Sequence, residues 1–209
     1  MTRRLGALTL DTVDDLPAPC RRCVAWELAP VAARDAERAG QLEFEKEAWI
    51  SSVLLEWGSC GRIAYVDERP VGFVTYAPPV HVPRSAGFAT SPVSADAVLL
   101  MTGAVHPVHR GGGIARMLVQ GAAKDLTRRG VRAIEAYGTT DRTEVDIGSG
   151  HGCVVPADML LAVGFKTVRP HPFHPRLRLD LRTALSWRED VEQALERILG
   201  TVRVPALTS

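Results

Sequence analysis

Residues 98–116 read VLLMTGAVHPVHRGGGIAR, and this stretch decides the fold. Val98-Leu99-Leu100-Met101-Thr102-Gly103-Ala104-Val105 is an apolar run of the kind that forms a buried strand. His106-Pro107 ends it, and Arg110-Gly111-Gly112-Gly113 leads into an amphipathic helix over 113–129. Ile114, Leu118, Ala122 and Leu126 line one face of that helix at four-residue spacing, and Gly130 stops it. Three consecutive glycines remove every Cβ from the turn, so backbone amides can approach a bulky anion. The helix start adds unpaired N–H groups and the positive end of its dipole. Such a place suits phosphate. Arg110 and Arg116 either add charge there or are solvated surface. A P-loop is excluded, because Ile114 and Ala115 follow the last glycine where Lys and then Ser or Thr are needed. The dinucleotide fingerprint also fails: counted from Gly111 and Gly113, its third glycine position holds Arg116, and its strand should open the domain.

On the N-terminal side, residues 5–13 read as an opening strand. Residues 31–57 are rich in Ala, Glu, Leu and Arg and read as helical, with Gly40 placed to split them. Trp49, Val53 and Trp57 share one face there, beside Ile50 and Leu54. A hairpin comes next, Arg62-Ile63-Ala64-Tyr65-Val66 and Val71-Gly72-Phe73-Val74-Thr75-Tyr76 around Asp67-Glu68-Arg69-Pro70. The proline-rich stretch 78–92 reads as a surface loop. On the C-terminal side, 131–137 is a strand, 138–155 a polar loop, 157–163 a short helix, and 164–168 and 177–181 further strands. Ser186 with Glu189 forms a capping box for a last helix carrying Val191, Leu195 and Leu199. An antiparallel hairpin mixed with strand–helix–strand units makes the class α+β, or mixed α/β.

The 209 residues, 46% hydrophobic and 23% charged, suit one ordinary domain with a real core. A formal charge of +1 argues against a nucleic-acid binder that works by bulk charge. No run reaches the ~18 apolar residues of a membrane span, and residues 1–10 are too polar for a signal peptide. Four cysteines do not make a disulfide framework. The expectation is a cytoplasmic protein that binds neither membrane nor nucleic acid.

The glycine-rich stretch resembles the signature of the GNAT superfamily of acyl-CoA-dependent N-acyltransferases: Arg110, Gly111-Gly112, Gly113, Ile114, Ala115 after a strand ending Val105-His106-Pro107. Leu160-Leu161-Ala162-Val163-Gly164-Phe165 is similar to the helix ending in Gly-Phe of that family's later motif. The resemblance spans residues 5–181. It implies a mostly antiparallel twisted sheet flanked by helices, here over 1–185, with an extra C-terminal helix in 186–209 that packs on the same domain or makes a homodimer contact. It also implies acetyl-CoA as co-substrate. The pyrophosphate would lie on amides from Gly111 to Ala115 and the pantetheine beside Gly103, Ala104 and Val105. One of those N–H groups would polarise the thioester carbonyl while a primary amine attacks directly.

The chain departs from its family at the general acid. The usual Tyr position is Leu160, and a position that often carries a cofactor-contacting Asn is Cys153. Cys153 is therefore a candidate proton donor, or a small buried hydrophobe. Tyr137 is a second candidate acid and Glu135 a candidate base. Glu27, Asp141, Glu144 and Asp146 could attract a cationic acceptor, a small-molecule or peptide amine, and Glu43, Glu45 and Glu47 form an acidic rim or a solvated face. Cys20 and Cys23, with His171 and His174, have the residue types of a Cys2His2 zinc site, although each pair also reads as an ordinary turn, and no metal ligand is assigned. Two other readings remain beside the enzyme: a non-catalytic acyl-CoA sensor and a zinc-stabilised regulatory domain.

Overall fold

The computed structural model describes residues 1–141 and 153–181. The expected last helix, and Glu144 and Asp146, lie outside them. In chain order the regular elements are β1 (Arg3–Ala7), α1 (Ala18–Arg22), α2 (Pro30–Arg38), α3 (Leu42–Glu56), β2 (Gly61–Val66), β3 (Arg69–Ala77), β4 (Ala97–Val105), α4 (Ile114–Arg128), β5 (Ala133–Thr139), β6 (Val155–Pro156), α5 (Ala157–Ala162), β7 (Lys166–Arg169) and β8 (Arg176–Asp180).

The strands form one sheet in the order β1-β2-β3-β4-β5-β8-β7, with β6 attached to β5. Pairing is antiparallel throughout except for β4–β5 and β5–β6. The expected mixed, mostly antiparallel architecture is therefore present. Helix α4 is the crossover that makes β4 and β5 parallel. Its apolar stripe, Ile114, Leu118, Val119, Ala122 and Leu126, packs on Ala64, Val74, Tyr76, Val98 and Leu100 to form one core. Helices α1 and α3 cover the opposite face, where Cys20, Trp49, Ile50 and Val53 meet Ile63, Phe73, Leu99 and Met101.

Several boundaries differ from the sequence reading. The opening strand stops at Ala7, because the Thr12 hydroxyl accepts from the Thr9 amide and donates to the Ala7 carbonyl, closing a 3-10 turn over Leu10–Asp15. Cys20 and Cys23 do not lie in a plain turn: Pro17, Ala18 and Pro19 start the short helix α1, where a missing proline N–H costs nothing. Gly40, at φ +68, does separate α2 from α3. Helix α5 lies so close to β5 that a Cβ at Gly138 would come within 2.8 Å of the Ala157 Cβ. No helix among the described residues is long and apolar enough to cross a membrane.

Candidate active site

The glycine turn and the helix it starts are built as donors. Gly111 and Gly113 adopt φ of +77 and +80, the left-handed region that glycine enters without strain. A Cβ at either would meet nothing within 4 Å, so the glycines are needed for chain direction, and the space in front of the turn is open. Gly113 is the N-cap of α4, and no side chain caps the helix. The first helical bond runs from the Met117 amide to the Gly113 carbonyl, leaving the amides of Ile114, Ala115 and Arg116 ahead of it. No acidic residue lies in the first turn to compete for them. The Gly112 carbonyl accepts from Arg3 Nη1 at 2.8 Å, which ties the turn to β1. Arg110 folds back to donate from Nε to the Val105 carbonyl at 3.1 Å, and Arg116 Nη2 donates to the Ala162 carbonyl at 3.4 Å.

Beside this turn, β4 parts from β5. Their register runs Ala97 with Ala133, Val98 with Ile134 and Leu99 with Glu135, and stops there, although β4 continues to Val105 and β5 to Thr139. On the other edge β3 stays paired as far as Val105, but with an irregularity: Thr75 faces Thr102 and Tyr76 faces Leu100, so Met101 is skipped. Such a bulge bends the strand and re-aims the side chains beyond it. Gly103, Ala104 and Val105 thus lie on a length of β4 with a strand on one side only. The expected cofactor residues from Gly103 to Ala115 therefore form one continuous surface, strand edge first and helix start second.

A small enclosed space lies between β3, β4 and the α1–α3 layer, with room for about one water molecule. Thr75, Thr102, Glu27, Lys46, Cys23 and Cys153 are among its walls. Glu27 and Lys46 form a buried ion pair, and Glu27 also accepts from the Trp26 amide at 3.2 Å. Thr75 Oγ1 is buried with no hydrogen-bond partner. Cys153 Sγ is 2.8 Å from Cys23 Sγ, and the Cys153 carbonyl accepts from Trp26 Nε1 at 2.9 Å. The Cys153 thiol holds the Cys23 thiol below the ordinary thiol range, while that same contact and burial push Cys153 up.

The three residues expected to move protons do not converge. Glu135 is fully buried beneath the β4–β5–β8 junction, where its oxygens meet Arg178 Nη1 at 3.1 Å, Arg176 Nη1 at 3.3 Å and the Ser94 amide at 3.1 Å. A carboxylate engaged in this way is a strut, not a free base, and that expectation is corrected. Tyr137 is fully buried in an aromatic stack, 4.2 Å from Phe88 at 3° and 6.4 Å from Trp26 at 12°. Burial raises its pKa, and a side-chain hydrogen bond with Ser91 opposes that rise. Leu160, at the family's usual acid position, is fully buried in the α4-side core. Cys153 alone of the three lies on the small pocket. Lys46, Thr75 and Thr102 were missed, because nothing in a strand's alternation marks which threonine a bulge will turn inward.

The zinc reading of the paired Cys and His finds no support. His171 Nδ1 accepts from the amides of Phe173 and His174, closing its own loop. Among the described residues no group of three or more His, Cys, Asp or Glu is placed to hold a metal ion.

An uncapped, glycine-led helix beside a half-open strand defines a class by its fold: a mixed α/β protein with an open strand edge next to a helix start. The sequence profile of the Acetyltransferase (GNAT) family matches residues 22–145, more than half of the 209, and the chain belongs to that family. No curated protein matches the sequence. Among solved structures, an N-acetyltransferase from Staphylococcus aureus Mu50 is 15% identical with a TM-score of 0.55, the match covering 87% of this chain and 99% of that one. PaiA N-acetyltransferase from Thermoplasma acidophilum, solved in complex with coenzyme A, is 13% identical at TM-score 0.54, covering 86% and 99%. YncA from Salmonella typhimurium, solved with its cofactor acetyl-CoA, is 13% identical at TM-score 0.53, covering 87% and 95%. At these identities the likeness is one of fold.

Proposed function

We propose that the protein is an acetyl-CoA-dependent N-acetyltransferase, working in the cytoplasm, that passes an acetyl group directly to a primary amine of a small molecule or peptide. The observation that carries this is the continuous donor surface from the open edge of β4 to the uncapped start of α4. Amides from Gly111 to Ala115 suit a pyrophosphate, with Arg110 and Arg116 close by. The unpaired edge at Gly103, Ala104 and Val105 suits an extended amide-bearing chain, and an N–H there is suited to polarise a thioester carbonyl. Bound acetyl-CoA supplies the activated acetyl group; the protein supplies position, amides and proton handling.

For proton transfer we assign the walls of the small pocket. Cys153 is its protonated thiol, and the pocket has space for one bridging water, while Glu27, held by Lys46 and the Trp26 amide, stays a structural carboxylate as Glu135 does. The competing reading, a binding module without turnover, draws on Leu160 in the acid's usual position. One experiment separates them: thermal melting with acetyl-CoA, then thiol release across an amine panel. A raised Tm with amine-dependent release of free CoA is the expected result. A raised Tm without release leaves the binding module, and no shift at millimolar acetyl-CoA overturns both.

A further inference from the structure

We propose that Cys23 and Cys153 are a thiol-modification site that closes to a reversible disulfide, joining the end of α1 to the start of the β6–α5 unit. The two sulfurs stand 2.8 Å apart although 130 residues separate them along the chain. A disulfide needs about 2.05 Å, so closure asks for a small side-chain movement. The backbone is already in place, because Trp26, three residues beyond Cys23, donates from Nε1 to the Cys153 carbonyl at 2.9 Å. The cross-link would fix a contact that exists, not create one.

The four cysteines differ in ways that single out this pair. Cys23 is partly exposed, while Cys20, Cys60 and Cys153 are buried. Burial pushes Cys20 up to about 11 and Cys60 to about 12, which keeps both as thiols at neutral pH. Cys23, held below the ordinary thiol range by its contact with Cys153, is the more accessible and more readily ionised thiol, and Cys153, pushed up, is the partner touching it. That is the attacking and resolving arrangement thiol–disulfide exchange requires. No metal-binding group among the described residues claims these sulfurs.

With glutathione disulfide as the oxidant, the Cys23 thiolate attacks one sulfur, breaks the S–S bond and releases one glutathione thiolate. Cys153 gives its proton to that leaving thiolate and attacks Cys23 Sγ, expelling the second glutathione, which takes up a proton from solvent. Two protein thiols are oxidised to one disulfide, and one glutathione disulfide is reduced to two thiols. The site does not depend on the acyl-transfer reading, and its test uses no acetyl-CoA.

The test equilibrates the full chain in glutathione buffers from reduced to fully oxidised, quenches with acid, counts thiols and maps non-reduced peptides. The expected result is loss of two of the four thiols, a peptide linking Cys23 to Cys153, and full return with dithiothreitol. The oxidised protein should melt about 5 °C or more above the reduced form, because the bond closes a long loop. Cys23→Ser and Cys153→Ser should each prevent the loss of two thiols, whereas Cys20→Ser and Cys60→Ala should not. Four free thiols under full oxidation, a bond between Cys20 and Cys23, a stable mixed disulfide at Cys23, or one bound zinc per chain that protects the thiols would each overturn the proposal.

Discussion

The two faces of the sheet treat buried polar groups in opposite ways. Under α4, Asp125 is buried, yet it meets Arg62 Nη2 at 2.7 Å, the Tyr76 hydroxyl at 3.1 Å and Arg129 Nε at 3.3 Å. Tyr76 is also joined to Ser59 at 3.0 Å. On the α1–α3 side, Arg21 Nε, Thr75 Oγ1 and Arg176 Nε are buried without a hydrogen-bond partner. Each such group costs about 1–3 kcal/mol if nothing satisfies it. One face is closed as a scaffold. The other keeps unmet donors and acceptors, and one of them, Thr75 Oγ1, lines the small pocket beside β4, where a ligand or water would repay it.

The largest effect should come from breaking the closed face. Asp125→Ala leaves the half-buried Arg62 without its partner and should cost about 3–5 kcal/mol, read from the urea midpoint. A loss below about 1 kcal/mol would mean the network behaves like surface charge. Glu135, like Glu27, is an engaged carboxylate on the open face. Glu135→Gln should cost about 2–4 kcal/mol of stability while the shape of the pH–rate profile stays unchanged. Loss of the acidic limb would restore Glu135 as the base.

Next is the donor surface itself. Gly113→Asp sets a negative side chain at the amides of α4 and should weaken acetyl-CoA binding about 100-fold, or about 2.7 kcal/mol, by calorimetry. Unchanged affinity would move the pyrophosphate elsewhere. A smaller effect should come from the unmet hydroxyl of Thr75. Thr75→Val should leave the unliganded protein unchanged or stabilise it by up to about 1 kcal/mol in thermal melts. A clear loss would reveal a partner that the hydroxyl now satisfies. The smallest is kinetic: iodoacetamide should alkylate Cys23 with a rate rising through a midpoint below the ordinary thiol value of about 8.5, since thiolate grows as pH rises. Cys153→Ala should move that midpoint upward toward about 8.5. A wild-type midpoint already there would break the sulfur pairing.

Much of this was legible from residue order. The strand–glycine–helix stretch, the hairpin and the split at Gly40 arise from local rules of φ, period and breakers, which act within a few residues. The boundaries that failed, at Ala7 and at α1, turned on a threonine side chain and on prolines that open a helix as readily as a turn. Cys153 was singled out by its place before Gly-Phe, but its contact with Cys23 spans 130 residues and no local rule reaches that far.

Residue order alone determined the donor-rich helix start, because three glycines and an apolar four-residue spacing permit little else there. Tertiary structure decided what stands around it. The strand register stopped β4 from pairing with β5 beyond Leu99, a bulge at Met101 re-aimed Thr102, and packing of distant segments turned Glu135 into a strut and Cys153 into a neighbour of Cys23. Those outcomes depend on which segments meet across the sheet, and that is settled by the summed burial of the whole chain.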